Sequence, residues 1–166
     1  MLAKTKQFLS NRPMIRVLIK WTLIITVGFI VYFANKHVQS NWGAQARIDT
    51  GLVSVQLATA IKLAAQDHKL VLAEMSAVWC STCRRLDQEI FSNTSVKQTI
   101  VEDYIFARID YDSIQAKQFM VTYKVRGFPT VVVLNSAAEL VARIPLTFNS
   151  DEYTAMLKKV SDNISH

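Results

Sequence analysis

Hydrophobic residues follow two different patterns along this chain of 166 residues. Residues 21–34 contain no charged side chain, and residues 17–19 extend the apolar run if Lys20 turns its ammonium group back towards lipid headgroups. As a helix, a run of about 18 residues just crosses a bilayer core of about 30 Å. From residue 52 onward, apolar positions instead recur at helix or strand spacing, which indicates a globular domain.

The pattern in the globular part predicts helices alternating with strands. Helices are predicted over residues 52–67, 84–91, 95–101, 113–123 and 150–160, and strands over residues 70–77, 104–110, 130–135 and 140–145. This order predicts an α/β fold with a central mixed sheet flanked by helices, and an antiparallel hairpin formed by the last two strands. We divide the chain into a basic N-terminus (1–16), a transmembrane segment (17–34), a polar tether (35–50) and a globular domain (51–166).

Charge is distributed unevenly. Seven basic residues and no acidic one lie between Met1 and Arg47, whereas 12 basic and 13 acidic residues follow. The formal net charge of +6 therefore belongs to the N-terminus. The rest of the chain has no basic face with interleaved aromatic residues, so we expect no nucleic-acid binding. The positive-inside rule then places the N-terminus in the cytoplasm and the globular domain across the membrane. A cleaved signal peptide is one alternative, with Val38 and Ser40 as small residues near a cleavage site, and a buried helix of a soluble protein is another.

The chain has two cysteines, Cys80 and Cys83, within the stretch AVWCSTCRRLD. Three positions apart at the start of a helix, they lie on nearly the same face and close enough to form a disulfide. Free N–H groups at the helix start, with Arg84 and Arg85 nearby, favour a thiolate on Cys80. Cys83 lies one turn deeper. This asymmetry suits a redox pair, in which Cys80 attacks a partner's disulfide and Cys83 resolves the mixed disulfide.

Other uses of the pair are less well supported by the sequence. A structural zinc site needs four ligands, but there is no second cysteine pair and the three histidines are scattered, so we expect no metal. Covalent haem attachment would require a histidine after Cys83, where the chain has Arg84. An inert structural disulfide stays open, although so short a loop stabilises little.

The motif WCSTC after a predicted strand, with RGFPT before another, resembles the thioredoxin family. The segment LVLAEMSAVWCSTCRRLDQEIFSNTSV is similar to the thioredoxin-like C-terminal domain of the bacterial thiol:disulfide interchange protein DsbD and its stand-alone, membrane-anchored relatives. The resemblance covers roughly residues 50–162. It implies a thioredoxin-like fold and a redox-active Cys80–Cys83 disulfide that works without another cofactor.

The resemblance also implies roles for residues outside the pair. Glu74, six residues before Cys80, matches a buried acid that exchanges a proton with the resolving cysteine, and a carboxylate in an apolar strand can act as a base near neutral pH. Arg108 approximately matches a lysine near that acid. A solvent-facing Glu74 at a strand end is the simpler alternative.

Three further residues are expected beside the cysteines. Trp79 would pack against the pair, unless it is an ordinary core aromatic. Pro129 matches a proline that is cis in this family and faces the cysteines. Phe128 would pair its backbone with an extended substrate segment.

Two departures from the family pattern bear on partner choice and reduction potential. Ser81 and Thr82 separate the cysteines, where cytosolic thioredoxin has Gly-Pro and the oxidant DsbA has Pro-His. After the last predicted strand the chain has IPLTFNS, where the family often has a glycine.

We therefore expect a single-pass protein of the bacterial inner membrane, with a periplasmic domain that reduces client disulfides. The resemblance implies two kinds of partner: client proteins that contain disulfides, and a membrane electron-transfer protein of DsbD type. A disulfide oxidase or isomerase is the alternative in the same class. A non-catalytic assembly factor of a membrane complex is the alternative in a different class.

Overall fold

The computed structural model describes residues 13–164, which divide into a first compact unit ending at Val38 and a second beginning at Gln39. The first helix, α1, spans Pro13–Asp49 and so runs through both units. Within residues 14–38, all of its large apolar side chains except that of Ile15 are exposed. By length and composition this helix can cross a membrane, which fits either a membrane anchor or a signal sequence. Residues 1–12 of the predicted basic N-terminus lie outside the described residues.

The segment predicted as a polar tether, residues 35–50, is helical through Asp49. Its part from Gln39 onward clusters with the globular domain instead of standing apart from it. Gly43, Ala46 and Thr50 are buried, and their spacing places them on one helix face. Small residues on that face allow close packing, whereas the hydropathy of the segment gives no sign of burial.

The rest of the second unit has the α/β architecture that the sequence predicted. Its elements are α2 (Leu57–Asp67), β1 (Leu70–Ser76), α3 (Ser81–Leu86), a π-helical turn (Asp87–Phe91), α4 (Thr94–Asp103), β2 (Tyr104–Asp110), α5 (Ala116–Thr122), β3 (Thr130–Leu134), β4 (Leu140–Ile144) and α6 (Ser150–Asp162). The strands form a mixed sheet in the order β2-β1-β3-β4, with β1 parallel to β2 and antiparallel to β3. β3 and β4 form the predicted antiparallel hairpin.

The helix boundaries differ from the predicted ones where the chain finds other backbone partners. The helix predicted from residue 52 begins at Leu57, because the Val55 N–H donates to the Phe106 carbonyl (3.1 Å) and adds a short bridge beside β2. The helix predicted to start at the cysteine motif and to continue over residues 84–91 begins at Ser81 and widens into a π-helical turn at Asp87. The helix predicted from Ser113 begins at Ala116.

Apolar side chains cover both faces of the sheet, as a three-layer fold requires. One face packs against α3, the π-helical turn, α4 and α6, and the other against α2 and α5. All seven residues of β1 are buried, which identifies it as a central strand. The cysteine motif follows the carboxyl end of this strand directly.

Candidate active site

Cys80 caps the N-terminus of α3, where the sequence analysis expected it. The two cysteines form a disulfide, with their Cα atoms 5.3 Å apart. The Cys83 N–H donates a hydrogen bond to the Cys80 sulfur (3.1 Å). Cys80 is 9% exposed and Cys83 2%, so Cys80 is the more accessible residue of the pair. A backbone donor aimed at Cys80 favours a thiolate there once the disulfide is reduced.

Aromatic side chains surround the disulfide on its surface side. Trp79 and Phe128 pack against the two cysteines and lie 5.5 Å apart, edge to face. The Trp79 indole N–H donates to the Asp112 carboxylate (2.8 Å), which fixes the ring. Tyr111 contacts Phe128, with ring centroids 4.9 Å apart. Trp79 is therefore part of the cysteine cluster and not an isolated core aromatic.

Pro129 follows Phe128 through a cis peptide bond, the geometry expected from the sequence. Both residues are partly exposed and lie immediately before β3. β3 is the antiparallel neighbour of β1, and β1 leads into the cysteine motif. Phe128 thus reaches the disulfide from the segment before β3, the strand next to the one that leads into the cysteine motif.

A buried group of charges lies on the sheet face that packs against α3. Glu74 on β1 is fully buried, so it does not face solvent. The Arg108 Nε donates to the Glu74 Oε2 (2.6 Å), as the register of β1 with β2 places these residues opposite each other. The same guanidinium donates to Asp87 Oδ1 (2.5 Å). Arg108 lies near Glu74, as the resemblance implied, but its guanidinium is shared by two carboxylates.

Asp87 is a candidate functional residue that the sequence analysis missed. Burial and the neighbouring charge of Glu74 raise the pKa of Asp87 to about 7, although Arg108 opposes this shift. Its backbone N–H donates to the Cys83 carbonyl, so Asp87 lies one helical turn after the second cysteine. The spacing of four residues between Cys83 and Asp87 was the available signal. Sequence alone did not reveal that this carboxyl points inward.

Glu74 has one oxygen held by Arg108 and one, Oε1, with no hydrogen-bond partner among the described residues. The buried Tyr153 hydroxyl on α6 is also without a partner there. Burial and the charge of Glu74 raise the pKa of Tyr153 well above its ordinary value. Tyr153 therefore stays protonated at neutral pH, while the Glu74 Oε1 atom is buried without a donor among the described residues.

The two arginines expected to add positive charge beside Cys80 are held by other residues. The Arg84 Nη1 donates to Gln39 Oε1 (2.5 Å), and the Arg84 guanidinium lies 5.3 Å from the centre of the Trp42 ring. Arg85 pairs with Glu89 (2.7 Å). Trp42, which belongs to the segment predicted as a polar tether, therefore contacts a residue of the cysteine motif.

Metal ligands were not expected from the sequence. Within residues 13–164, no three His, Cys, Asp or Glu side chains are grouped so that they could hold a metal ion. His166 lies outside the described residues. The absence of a metal cofactor stays a prediction.

The family model described as a thioredoxin-like domain matches residues 57–161, more than half of the chain. Among curated proteins, the chain is 28% identical over 94 residues to a protein disulfide-isomerase of Datisca glomerata, covering 57% of this chain and 18% of that protein. It is 30% identical over 70 residues to the thiol:disulfide interchange protein DsbD of Photorhabdus laumondii, covering 42% of this chain and 12% of that protein. The chain thus spans less than a fifth of the length of these two relatives.

Solved structures share the fold. A DsbH oxidoreductase superposes with a TM-score of 0.58 at 21% identity, covering 67% of this chain and 85% of that structure. The oxidised C-terminal domain of DsbD from Neisseria meningitidis superposes with a TM-score of 0.54 at 18% identity, covering 64% of this chain and 98% of that domain. At these identities the likeness concerns the fold.

Proposed function

Because this chain belongs to the thioredoxin-like family of disulfide oxidoreductases, we propose that it is a membrane-anchored, periplasm-facing reductase of client disulfides. The observation that carries the proposal is the cysteine pair itself. The more accessible cysteine caps a helix, and the second cysteine lies one turn before a buried acid that titrates near neutral pH. This combination supports thiol–disulfide exchange more directly than it supports a purely structural disulfide.

In the first half-reaction, the Cys80 thiolate attacks one sulfur of a client disulfide. A mixed disulfide between Cys80 and the client forms, and the other client sulfur leaves as a thiolate that takes up a proton. The Cys83 N–H and the start of α3 stabilise the attacking thiolate. Cys80 is the catalytic nucleophile in this proposal.

In the second half-reaction, Cys83 loses its proton and attacks the Cys80 sulfur. The mixed disulfide breaks, the client leaves with a second thiol, and Cys80–Cys83 becomes a disulfide after two electrons have passed to the client. We assign the acceptance of the Cys83 proton to the buried acids, with Glu74 as the base and Asp87 as its partner across Arg108. No cofactor beyond the cysteine pair takes part.

We assign the binding of the client segment to Trp79, Phe128 and Pro129. The two aromatic rings contact the cysteines and are partly exposed, so they offer apolar area beside the attacked disulfide. Phe128 and Pro129 immediately precede β3, a place where an extended client segment can align with the chain.

The anchor and the electron supply complete the proposal. The apolar part of α1 supports a single membrane span, and the basic residues before it support a cytoplasmic N-terminus. In an oxidising compartment the pair must be reduced again after each turnover. We propose a dithiol of a DsbD-type protein in the same membrane as the two-electron donor.

A disulfide isomerase or oxidase is the second candidate, because several relatives carry the name protein disulfide-isomerase. The redox state of the pair in bacterial cells separates the reductase from the oxidase, because only an oxidase works with its pair kept as a disulfide. We expect an alkylation-shift assay to find Cys80 and Cys83 reduced when the membrane donor is present and oxidised when it is deleted. A pair that stays oxidised in both strains would argue for the oxidase.

A non-catalytic role is tested with the double variant Cys80→Ser, Cys83→Ser. We expect this variant to fail to complement a deletion of the gene, although its domain folds. Full complementation would instead assign the chain to assembly or scaffolding.

A further inference from the structure

Residues 39–50, called here the N-terminal extension, lie against the loop that leads into the cysteine motif. A Cβ atom placed on Gly43 would lie 1.8 Å from the Val78 carbonyl oxygen and 2.8 Å from its carbonyl carbon. Val78 lies two residues before Cys80, and both Gly43 and the Val78 carbonyl belong to backbone that cannot swing away like a flexible side chain. Glycine therefore permits a backbone contact that any other residue at position 43 would displace.

A second contact ties the N-terminal extension to the sheet beneath this loop. The Arg47 guanidinium donates to Asp110 Oδ2 (2.8 Å) and to the Ser76 hydroxyl (3.2 Å). Ser76 and Asp110 are register partners at the ends of β1 and β2, and Ser76 is the last strand residue before the cysteine loop. Ala46 and Thr50 are each 1% exposed, so this docking is closely packed.

A third contact reaches the other side of the cysteines. Arg84 follows Cys83 directly, and its guanidinium is held by the Gln39 side chain (2.5 Å) and by the face of Trp42. The N-terminal extension thus touches the motif both before and after the redox pair. It lies outside residues 57–161, the part of the chain that matches the thioredoxin-like family.

We propose that the N-terminal extension is a positioning element of the redox site, with Gly43 and Gln39 as its positioning residues. It fixes the loop carrying Cys80 and the Arg84 guanidinium, and thereby sets how fast Cys80 reacts. The proposal rests on the proposed function only in taking Cys80 as the attacking thiol, in either direction of electron flow. Geometry is a sufficient cause, because misplacing a reacting group by about 1 Å can cost on the order of 100-fold in rate.

The test compares two glycines of the same helix in the full-length protein, purified in detergent. Gly43→Ala introduces the clash with Val78, whereas a Cβ at Gly28 meets nothing within 4 Å, which makes Gly28→Ala the matched control. The reduced protein is mixed with oxidised glutathione, and Cys80 attacks it to form a mixed disulfide and release one glutathione thiolate. We expect Gly43→Ala to slow this step about tenfold or more and Gly28→Ala to leave it within about twofold.

A loss of rate must be distinguished from a loss of folding. The unfolding temperature of each variant is measured first. The pH dependence of Cys80 alkylation is then measured on the same samples, at a temperature well below it. We expect the alkylation midpoint of Gly43→Ala to shift. A lower unfolding temperature with an unchanged exchange rate and alkylation profile would reduce the N-terminal extension to a structural role and overturn the proposal.

Gln39 gives a second pair of variants in case Gly43→Ala does not fold. Gln39→Ala removes the acceptor of the Arg84 hydrogen bond without adding atoms, and Gln39→Glu retains an acceptor at the same place. We expect Gln39→Ala to change the exchange rate about threefold or more, with rescue by Gln39→Glu. Equal rates in all three proteins would overturn the proposal. If Cys80 alkylation responds as expected but the wild type reduces no protein disulfide, the proposed function fails and the positioning role stands.

Discussion

The two sulfurs of the disulfide have opposite surroundings. Cys80 lies at a helix start, against aromatic rings that reach the surface. Cys83 is buried, one turn before Asp87, which shares the Arg108 guanidinium with Glu74. One side of the site therefore suits contact with another protein, and the other suits the movement of a proton away from solvent. A chemically symmetrical bond is thus divided into two half-sites with different surroundings.

The largest effects are expected at the sulfurs themselves. Cys80→Ser should lower the rate of disulfide reduction on the order of 1,000-fold or more, because the attacking thiolate is lost. Cys83→Ala should instead accumulate a mixed disulfide with the client, because the first attack proceeds and nothing resolves it. Non-reducing gel electrophoresis after mixing with a disulfide-containing peptide measures both. A stable mixed disulfide formed by Cys80→Ser would reverse the roles given to the two cysteines.

The next effect concerns the cation on the Cys83 side. Arg108→Met leaves two buried carboxylates without a partner, and we expect a loss of about 3–5 kcal/mol in the free energy of unfolding at neutral pH. Arg85→Met is the control, because Arg85 is exposed and should leave stability nearly unchanged. Urea denaturation of both variants measures the difference. Equal stability of the two variants would mean that the buried charges do not interact as described.

Asp87 should make stability depend on pH. Its pKa in the folded protein is about 7, above the ordinary value of about 3.9, so the folded state binds a proton more tightly than the unfolded state. This contribution to stability is complete below about pH 4 and is lost as the pH rises through about 7. We expect the free energy of unfolding of Asp87→Asn to lack this decrease. As the pH rises from about 5 to about 8, the variant should gain on the order of 2 kcal/mol in the free energy of unfolding relative to wild type.

Urea denaturation of wild type and Asp87→Asn across this pH range tests the expectation. Asp151→Asn is the control, since Asp151 is an exposed carboxylate in the first turn of α6. Parallel stability curves for wild type and Asp87→Asn would show that Asp87 does not titrate near neutral pH. The rate of the second half-reaction should follow the same titration, because Asp87 is proposed to assist proton loss from Cys83.

The smallest effect is expected on the surface side. Phe128→Ala should raise the KM for a disulfide-containing peptide about three- to tenfold, because an aromatic contact beside the disulfide is lost. It should leave the reduction potential of the pair unchanged. Val121→Ala, an exposed apolar residue on α5, is the control. An equal KM for the two variants would remove Phe128 from the client-binding surface.

The surface side of the site could be predicted from the sequence better than the buried side. Cys80, Cys83 and the position of Pro129 follow from short motifs, because a helix start and a cis X–Pro bond are local features. Asp87 was missed, since its burial depends on Arg108, 21 residues further along the chain. Local spacing places Asp87 on the face of Cys83 but does not say that the face is buried.

The N-terminal extension is a second region whose burial could not be predicted from local sequence patterns. Residues 35–50 were predicted as a tether because their polarity and lack of apolar periodicity are typical of linkers. Packing there depends on Gly43 and Ala46, whose contribution is the absence of a large side chain. Hydropathy measures how favourably a side chain is buried, whereas close approach of two backbone segments requires that no large side chain lies between them.

The reduction potential of the Cys80–Cys83 pair tests the central claim most directly, because it decides the direction in which electrons flow. It is measured by equilibrating the full-length protein with reduced and oxidised glutathione and quantifying the free thiols. A reductase of client disulfides predicts a potential of about −230 to −270 mV. A potential near about −120 mV, the range of a strong disulfide oxidant, would contradict the account.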